Sequence, residues 1–193
     1  MAQDRVRRRA VEIHVRRHVL EQVLQARVAD VARRALQHDG LVLGAVDLFR
    51  PEALEVCDAL FDARDEFAEH GLGGARVERI AERSALNKRL IYYYFENKDG
   101  LFSAVLEQTY LDIREAEQRL HLSHVAPAEA VRRLTEFTWN YYLEHPEFLT
   151  LLNSENLHRA RHLHDSAHIR ELNSPLIASL GRILERGRAA GVF

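Results

Sequence analysis

The sequence predicts an all-α protein, and three features carry that prediction. Of the 193 residues, 47% are hydrophobic, whereas only 9 are Gly and 4 are Pro, a composition typical of a helical protein with a real core. Apolar residues recur at intervals of three and four, most clearly in residues 76–98. Prolines stand where helices would begin, at Pro51, Pro127 and Pro175, because their fixed φ suits a first helical turn.

Residues 1–50 form an unassigned N-terminal extension. Their apolar residues fall within a narrow sector of a helical wheel, which predicts a long amphipathic helix over residues 5–36, ended by Gly40. The arginines at 7–9 would then form an arm for phosphates or the minor groove. The alternative, which we favour, is a poorly ordered extension, or sequence introduced by a mis-assigned start or a frameshift near Asp62.

Residues 76–98 predict two short helices joined by a tight turn. Each helix has one apolar face, and a leucine lies in the turn between them: Val77, Ile80 and Ala81, then Leu86, then Leu90, Ile91 and Tyr94. Asn87 is suited to begin the second helix because its side-chain oxygen can accept an unpaired backbone N–H. Two such helices form a helix-turn-helix unit, whose second helix enters the major groove of DNA.

The exposed face of the second helix is predicted to be cationic and phenolic. It would carry Lys88, Arg89, Tyr92 and Tyr93, which suit phosphate oxygens and base edges. The whole chain has a formal net charge of −2, so attraction to nucleic acid must come from local charge. Between residues 83 and 98, four cations outnumber a single Glu, a local excess of three positive charges.

This region resembles the DNA-binding domain of TetR-family transcriptional repressors. The similarity covers about residues 60–106 and rests on the pattern Ile80-Ala81, Leu86-Asn87-Lys88, Ile91-Tyr92-Tyr93-Tyr94-Phe95, Asn97-Lys98 and Leu101-Phe102. It implies an N-terminal three-helix DNA-binding head with a helix-turn-helix, followed by a helical ligand-binding body. Bases would be contacted by three residues and the phosphate backbone by three more: Lys88, Arg89 and Tyr93, then Tyr92, Tyr94 and Lys98. The full predicted DNA-contact set adds Arg76 and Asn87.

The first helix and the turn depart from the family pattern at two places. Pro51 would begin the first helix and Gly71 would end it. Within it, residues 62–67 are one small residue short of the usual pattern. In the turn, Ala85 stands where the family usually has glycine, and a left-handed backbone there would add a steric cost.

The predicted organisation is an extension over residues 1–50, a helix-turn-helix domain over 51–106 and a helical effector-binding and dimerisation domain over 107–193. The later helices are predicted at 98–120, 127–145 with a break before Pro146, 147–163, a stretch near His168, and a final helix restarted at Pro175. In the family, a Gly-x-x-x-Gly-x-Phe stretch such as residues 187–193 precedes two more helices, which usually form the dimer interface. We therefore expect a truncated sequence that lacks them; the alternative is dimerisation through the N-terminal helix.

Aromatic residues cluster around the predicted break at Pro146, and their functional interpretation is an effector pocket between helices. Such a pocket is mostly apolar with a few polar anchors. Ordinary core packing is the competing interpretation for each aromatic residue. The candidate lining residues are Trp139, Asn140, Tyr142, Phe148, Asn153 and Asn156.

Histidines crowd one part of the body. The pairs His158/His162 and His164/His168 have the four-residue spacing of zinc ligands on a helix, but neither HExxH nor CxxC accompanies them. Surface or pH-sensitive histidines are the better interpretation. We therefore predict neither a metal nor a cofactor.

No enzyme motif is present in the sequence. It has no G-x-S-x-G and no glycine-rich phosphate loop, and the main enzyme alternative, a metal-dependent helical bundle, would need a second copy of Glu155-x-x-His158. Cys57 is the only cysteine, which excludes an intrachain disulfide and fits a reducing cytoplasm. No apolar run reaches membrane-spanning length.

Together, the residues and the resemblance predict a ligand-responsive transcriptional repressor. It would bind a palindromic operator in double-stranded DNA as a homodimer, and a small-molecule effector would release it. The alternative is a helical interaction module without DNA binding. Neither enzymatic activity nor membrane association is expected.

Overall fold

The computed structural model describes residues 51–193, with side chains from residue 59 onward. Within this range the chain is helical and contains no strand, which confirms the all-α prediction. The helix predicted over residues 5–36 and the arginines at 7–9 lie outside the described residues. The described residues fall into two compact units: one holds residues 51–66 with Arg76–Ala104, and the other holds Phe67–Ala75 with Val105–Phe193. The predicted domain division at residue 106 stays a prediction.

The first four helices follow the predicted order. Their bounds are Pro51–Gly74 for α1, Val77–Arg83 for α2, Lys88–Phe95 for α3 and Lys98–Gln118 for α4. The backbone of α1 leaves helical geometry at Gly71 (φ 64°, ψ 173°), so the predicted end is correct, although another turn reaches Gly74. A positive φ at this point favours glycine because no Cβ is present to clash.

The turn between α2 and α3 closes as the sequence predicts. Leu86 is buried, and its N–H donates to the Ala81 carbonyl at 3.0 Å. Asn87 Oδ1 accepts the Arg89 N–H at 2.9 Å, which confirms the predicted cap of α3. The buried residues of α3 are Ile91 and Phe95, so its apolar face includes Phe95, which the prediction had omitted.

The second unit contains the remaining helices. They are a 3-10 turn at Leu122–His124, α5 at Pro127–Glu144, α6 at Pro146–Leu157, α7 at Arg161–Asp165 and α8 at Ala167–Ala189. The break at His145 is confirmed, because its φ of −126° and ψ of 65° are not helical. Helix α5 packs along α8, and Leu122, Ala130 and Ile183 form part of the core there.

Two helix predictions in this unit are wrong. The helix predicted over residues 147–163 ends at Leu157, because Arg159 and Ala160 adopt left-handed backbone (φ 60° and 54°). The chain turns around the buried Glu155 carboxylate, whose Oε1 accepts the His162 N–H at 2.7 Å. By contrast, α8 runs without interruption through Pro175, where a restart was predicted.

The Ala85 backbone is left-handed, with φ 54°. We predict that Ala85→Gly raises the free energy of unfolding by about 0.5–1 kcal/mol, because relief of the left-handed penalty exceeds the entropy cost of glycine. Urea denaturation followed by circular dichroism measures the change. As a control, Ala178→Gly, also exposed but within α8, should lower stability by about 0.5–1 kcal/mol. Equal effects of the two changes would contradict a strained turn.

Candidate nucleic-acid interface and ligand cavity

A buried carboxylate ties α2 to α1. Glu66 on α1 is only 2% exposed, and its Oε1 accepts the Arg76 backbone N–H at 2.9 Å and Arg79 Nε–H at 2.8 Å. Arg76 precedes the first residue of α2, which has no side-chain cap of its own. Glu66 therefore satisfies an N–H that a helix start leaves unpaired, and its charge complements the positive end of the helix dipole. This contact fixes where α2 begins.

Sequence reasoning missed Glu66, although a signal for it exists. Ala59, Ala63 and Phe67 are fully buried, and Glu66 falls on the same face of α1. A carboxylate at an apolar helix position indicates a buried charge with a partner, because an unpaired one is too costly. The partner could not be read from the sequence because Arg79 lies 13 residues away.

The outer face of α3 is open to solvent. Tyr93 is 58% exposed and Tyr92 37% exposed, and Arg89 is exposed as well. Tyr94 and Lys98 are half-buried, and the Tyr94 ring meets the Tyr93 ring edge-to-face at a centroid distance of 5.3 Å. This face thus presents a guanidinium and phenolic hydroxyls to solvent, whereas Ile91 and Phe95 face inward.

Lys88 is paired across the turn. Its Nζ donates to Glu78 Oε1 on α2, and it lies 5.4 Å from the centroid of the Tyr92 ring. The hydrogen bond with Lys88 lowers the pKa of Glu78, and the same bond raises the pKa of Lys88. Both groups remain charged at neutral pH. The Glu78 carboxylate therefore screens a cation that was predicted to face bases.

Arg83 does not contribute its charge to the outer face of α3. Its Nη2 lies 3.4 Å from Asp62 Oδ1 and 3.6 Å from Asp65 Oδ2, both on α1. The local excess of three positive charges counted from the sequence is therefore too large, because two acidic side chains of α1 lie close to this cation. Arg76 and Arg89 are exposed. The side-chain oxygen of Asn87 caps α3 by accepting the Arg89 N–H.

A close approach fixes the junction of α3 and α4. Asn97 Oδ1 accepts the Gly100 N–H at 2.8 Å and so caps α4. A Cβ at position 100 would lie 2.1 Å from the Phe95 carbonyl oxygen, which leaves room for glycine alone. Lys98, in the first turn of α4, is consequently held beside the end of α3.

The residues predicted to line an effector pocket are not gathered into one. Tyr142 and Phe148 stack at 5.5 Å between centroids, within a cluster that includes Ile113 and Tyr141. The other four, by contrast, are exposed, with Trp139 at 66%: Trp139, Asn140, Asn153 and Asn156. The aromatic residues near Pro146 are mainly core, which was the competing interpretation.

A cavity of about 230 Å³ lies elsewhere in the second unit. Its walls come from the end of α4, the 3-10 turn, α5 and α8, and they include Arg114, Glu117, Leu134, Leu172, Pro175 and Leu176. Arg114 Nη1 lies 2.8 Å from Glu117 Oε2, and the two side chains are 12% and 8% exposed. Burial raises the pKa of Glu117, and the nearby Arg114 charge opposes that rise.

Two of the four histidines have hydrogen-bond partners close by in the chain, His158 and His162. His162 Nδ1 lies 2.6 Å from Glu155 Oε2, and His158 Nδ1 lies 2.7 Å from the Ser154 carbonyl oxygen. Among the residues that the structure describes, no group of three His, Cys, Asp or Glu side chains is placed to hold a metal ion.

Two family sequence profiles match the chain. "Bacterial regulatory proteins, tetR family" matches residues 60–105, and "Tetracyclin repressor-like, C-terminal domain" matches residues 127–193. The chain belongs to the TetR family. The resemblance seen in the helix-turn-helix residues is thereby confirmed.

Curated relatives carry regulator names. The chain is 42% identical over 127 residues to the HTH-type transcriptional repressor NicS of Pseudomonas putida, across 66% of this chain and 60% of NicS. It is 38% identical over 108 residues to the HTH-type transcriptional repressor SCO4008 of Streptomyces coelicolor, across 55% and 52% of the two chains. The chain thus spans less than two thirds of the length of either relative.

Solved TetR structures share the fold. The TetR family transcriptional regulator PfmR of Thermus thermophilus superposes with a TM-score of 0.52 at 26% identity, over 70% of this chain and 72% of PfmR.

Among the helices of residues 51–193, none is long and apolar enough to cross a membrane.

The contribution of the Glu66 contacts to the stability of the helix-turn-helix domain can be tested directly. We predict that Glu66→Gln lowers the free energy of unfolding by about 1–3 kcal/mol, because a neutral amide leaves the Arg79 guanidinium without its buried counter-charge. Urea denaturation measures the loss. Glu69→Gln, on the exposed side of the same helix, is the matched control and should change stability by less than about 0.5 kcal/mol. An unchanged midpoint for Glu66→Gln would show that the carboxylate is not needed.

Proposed function

We propose that this TetR-family chain represses transcription by binding a palindromic operator as a homodimer, and that a small-molecule effector releases it. The observation that carries the proposal is the exposed guanidinium and phenolic face of α3, on a helix fixed at both ends. At its start, Asn87 caps α3; at its end, Gly100 allows α4 to approach the Phe95 carbonyl. The curated relatives are named transcriptional repressors, which supports the repression part of the proposal.

The dimensions of α3 suit the major groove. An α-helix with its side chains is roughly 10–12 Å across, which matches the major-groove width of about 12 Å. Arg89 can donate two hydrogen bonds to a guanine edge, and Tyr93 projects beside it. Tyr92, Tyr94 and Lys98 would bind phosphates and so set the register of the helix on the duplex. In a homodimer, two such helices would lie about 34–36 Å apart.

Effector release requires that ligand binding favours a state with lower DNA affinity. Helix α4 offers a continuous connection, since Lys98 lies in its first turn and Arg114 and Glu117 lie near its end. The cavity beside that end is the effector site that we propose. No enzymatic activity and no cofactor are proposed, and the DNA partner implies a cytoplasmic location.

Two substitutions separate phosphate contacts from base reading. We predict that Lys98→Ala weakens binding to all duplexes alike and lowers the slope of log K against log salt by about 0.9, because one phosphate contact is lost. Arg89→Ala should instead reduce the preference for the operator over random duplex by about 10- to 100-fold, a loss of roughly 1–3 kcal/mol of discrimination.

Fluorescence anisotropy at several salt concentrations, with operator selected from genomic fragments, measures both quantities. Arg133→Ala on α5, an exposed arginine of the other unit, is the control and should change neither. If Lys98→Ala and Arg89→Ala both bind like the parent chain, α3 is not the reading helix. If the parent chain itself binds no duplex, a helical interaction module without DNA binding becomes the better interpretation.

The Glu78–Lys88 pair should restrain DNA binding. We predict that Glu78→Gln raises affinity for any duplex by up to about five-fold at low salt, because it releases Lys88 for phosphates and removes a negative charge. Glu82→Gln on the same helix removes an equal charge without unpairing Lys88 and should have a smaller effect. Equal gains from both would mean that net charge, and not the release of Lys88, is responsible.

A further inference from the structure

The cavity in the second unit contains a guanidinium whose hydrogen bonds are incomplete. Arg114 Nε and Nη1 are buried and make no hydrogen bond. Nη1 is near Glu117 Oε2 at 2.8 Å, but this contact is an ion pair without hydrogen-bond geometry. A buried donor without an acceptor costs free energy, so the site is complete only when an acceptor is supplied.

The geometry of the guanidinium selects the kind of acceptor. Its N–H groups form a rigid planar fork that matches the two oxygens of a carboxylate, and this charge-assisted pairing is stronger than a neutral hydrogen bond. Glu117 is the only acid among the described residues that line the cavity, and its carboxylate already lies 2.8 Å from Arg114 Nη1, so it is less available to a cationic ligand. The unmet groups are donors, which favours an anion.

The remaining walls set the size and polarity of the ligand. Leu134, Leu172, Pro175 and Leu176 give the cavity an apolar side. Its volume of about 230 Å³ exceeds the ~150 Å³ cavity that accommodates benzene in another protein. A ligand with a single ring and a carboxyl group therefore fits the cavity, whereas a ligand with several rings would need the cavity to expand.

We propose that the cavity beside Arg114 binds a small carboxylate with a single ring-sized apolar body, and that this carboxylate is the effector class of the regulator. The second half of this statement rests on the function proposed above. The first half concerns binding alone and is testable without DNA.

Isothermal titration with benzoate as the probe tests the binding step, with benzamide and benzylamine as shape-matched neutral and cationic ligands. Benzoate is expected to bind at least about ten-fold more tightly than either, since only it pairs with the guanidinium as a charged fork. Arg114→Gln should lower the affinity for benzoate by ten-fold or more and leave the affinity for benzamide nearly unchanged. Arg132→Gln, an exposed arginine on α5 with a 56% exposed side chain, is the matched control and should leave benzoate affinity intact.

Ser179→Phe provides a second variant that leaves Arg114 in place. Ser179 lines the same cavity, so a phenyl group there should prevent benzoate binding. The circular dichroism spectrum should remain that of the helical parent chain. Equal affinity for the three probes, no binding of any of them, or retention of benzoate affinity in both variants would overturn the proposal of a carboxylate site.

Adding benzoate to the preformed DNA complex tests the regulatory step. Release of DNA by benzoate, lost in Arg114→Gln, supports the full proposal. Selective benzoate binding without DNA release would keep the carboxylate site and overturn its role as effector. Failure to bind any operator in the absence of benzoate would instead overturn the proposed function.

Discussion

The position of α3, the proposed reading helix, depends on a buried charge that is too costly to leave unpaired. Helices α2 and α3 have seven and eight residues, too short to be stable in isolation, so packing must supply both their stability and their direction. Glu66 fixes the start of α2, because its carboxylate accepts both the Arg76 backbone N–H and the Arg79 Nε–H. Once α2 is set, Leu86 and the Asn87 cap fix α3 relative to it.

Residues with positive φ flank α3 on both sides. Ala85, before it, and Glu96, after it, both have positive φ, at 54° and 64°. Such conformations persist only where the surrounding contacts over-determine them. Here the contacts are the buried Leu86 on one side and the close approach of Gly100 to the Phe95 carbonyl on the other. A rigidly held α3 loses little conformational entropy on binding, which favours affinity for a groove.

Local patterns were predictable from the sequence, and long-range pairings were not. The helical period, the Asn87 cap and the break at Pro146 depend on neighbours within a few residues, and all three are confirmed. The partners of Glu66 and Arg83 lie 10 or more residues away on another helix, beyond the reach of periodicity. Aromatic content alone does not identify a pocket, because it does not distinguish a core residue such as Phe148 from an exposed one such as Trp139.

The cavity proposed as the effector site is lined in part by a proline inside a helix. Pro175 lies inside α8, where it lacks the N–H that would bond the Glu171 carbonyl, and it also lines the cavity. The wall of the cavity is therefore formed by the part of α8 whose backbone has lost a helical hydrogen bond, and helices bend most readily at such points. A ligand shifts an equilibrium only by its difference in affinity for two states. An effector bound in the proposed site would contact α8 near Pro175 and Arg114 on α4, and it would shift the equilibrium if its affinity differed between two arrangements of these helices.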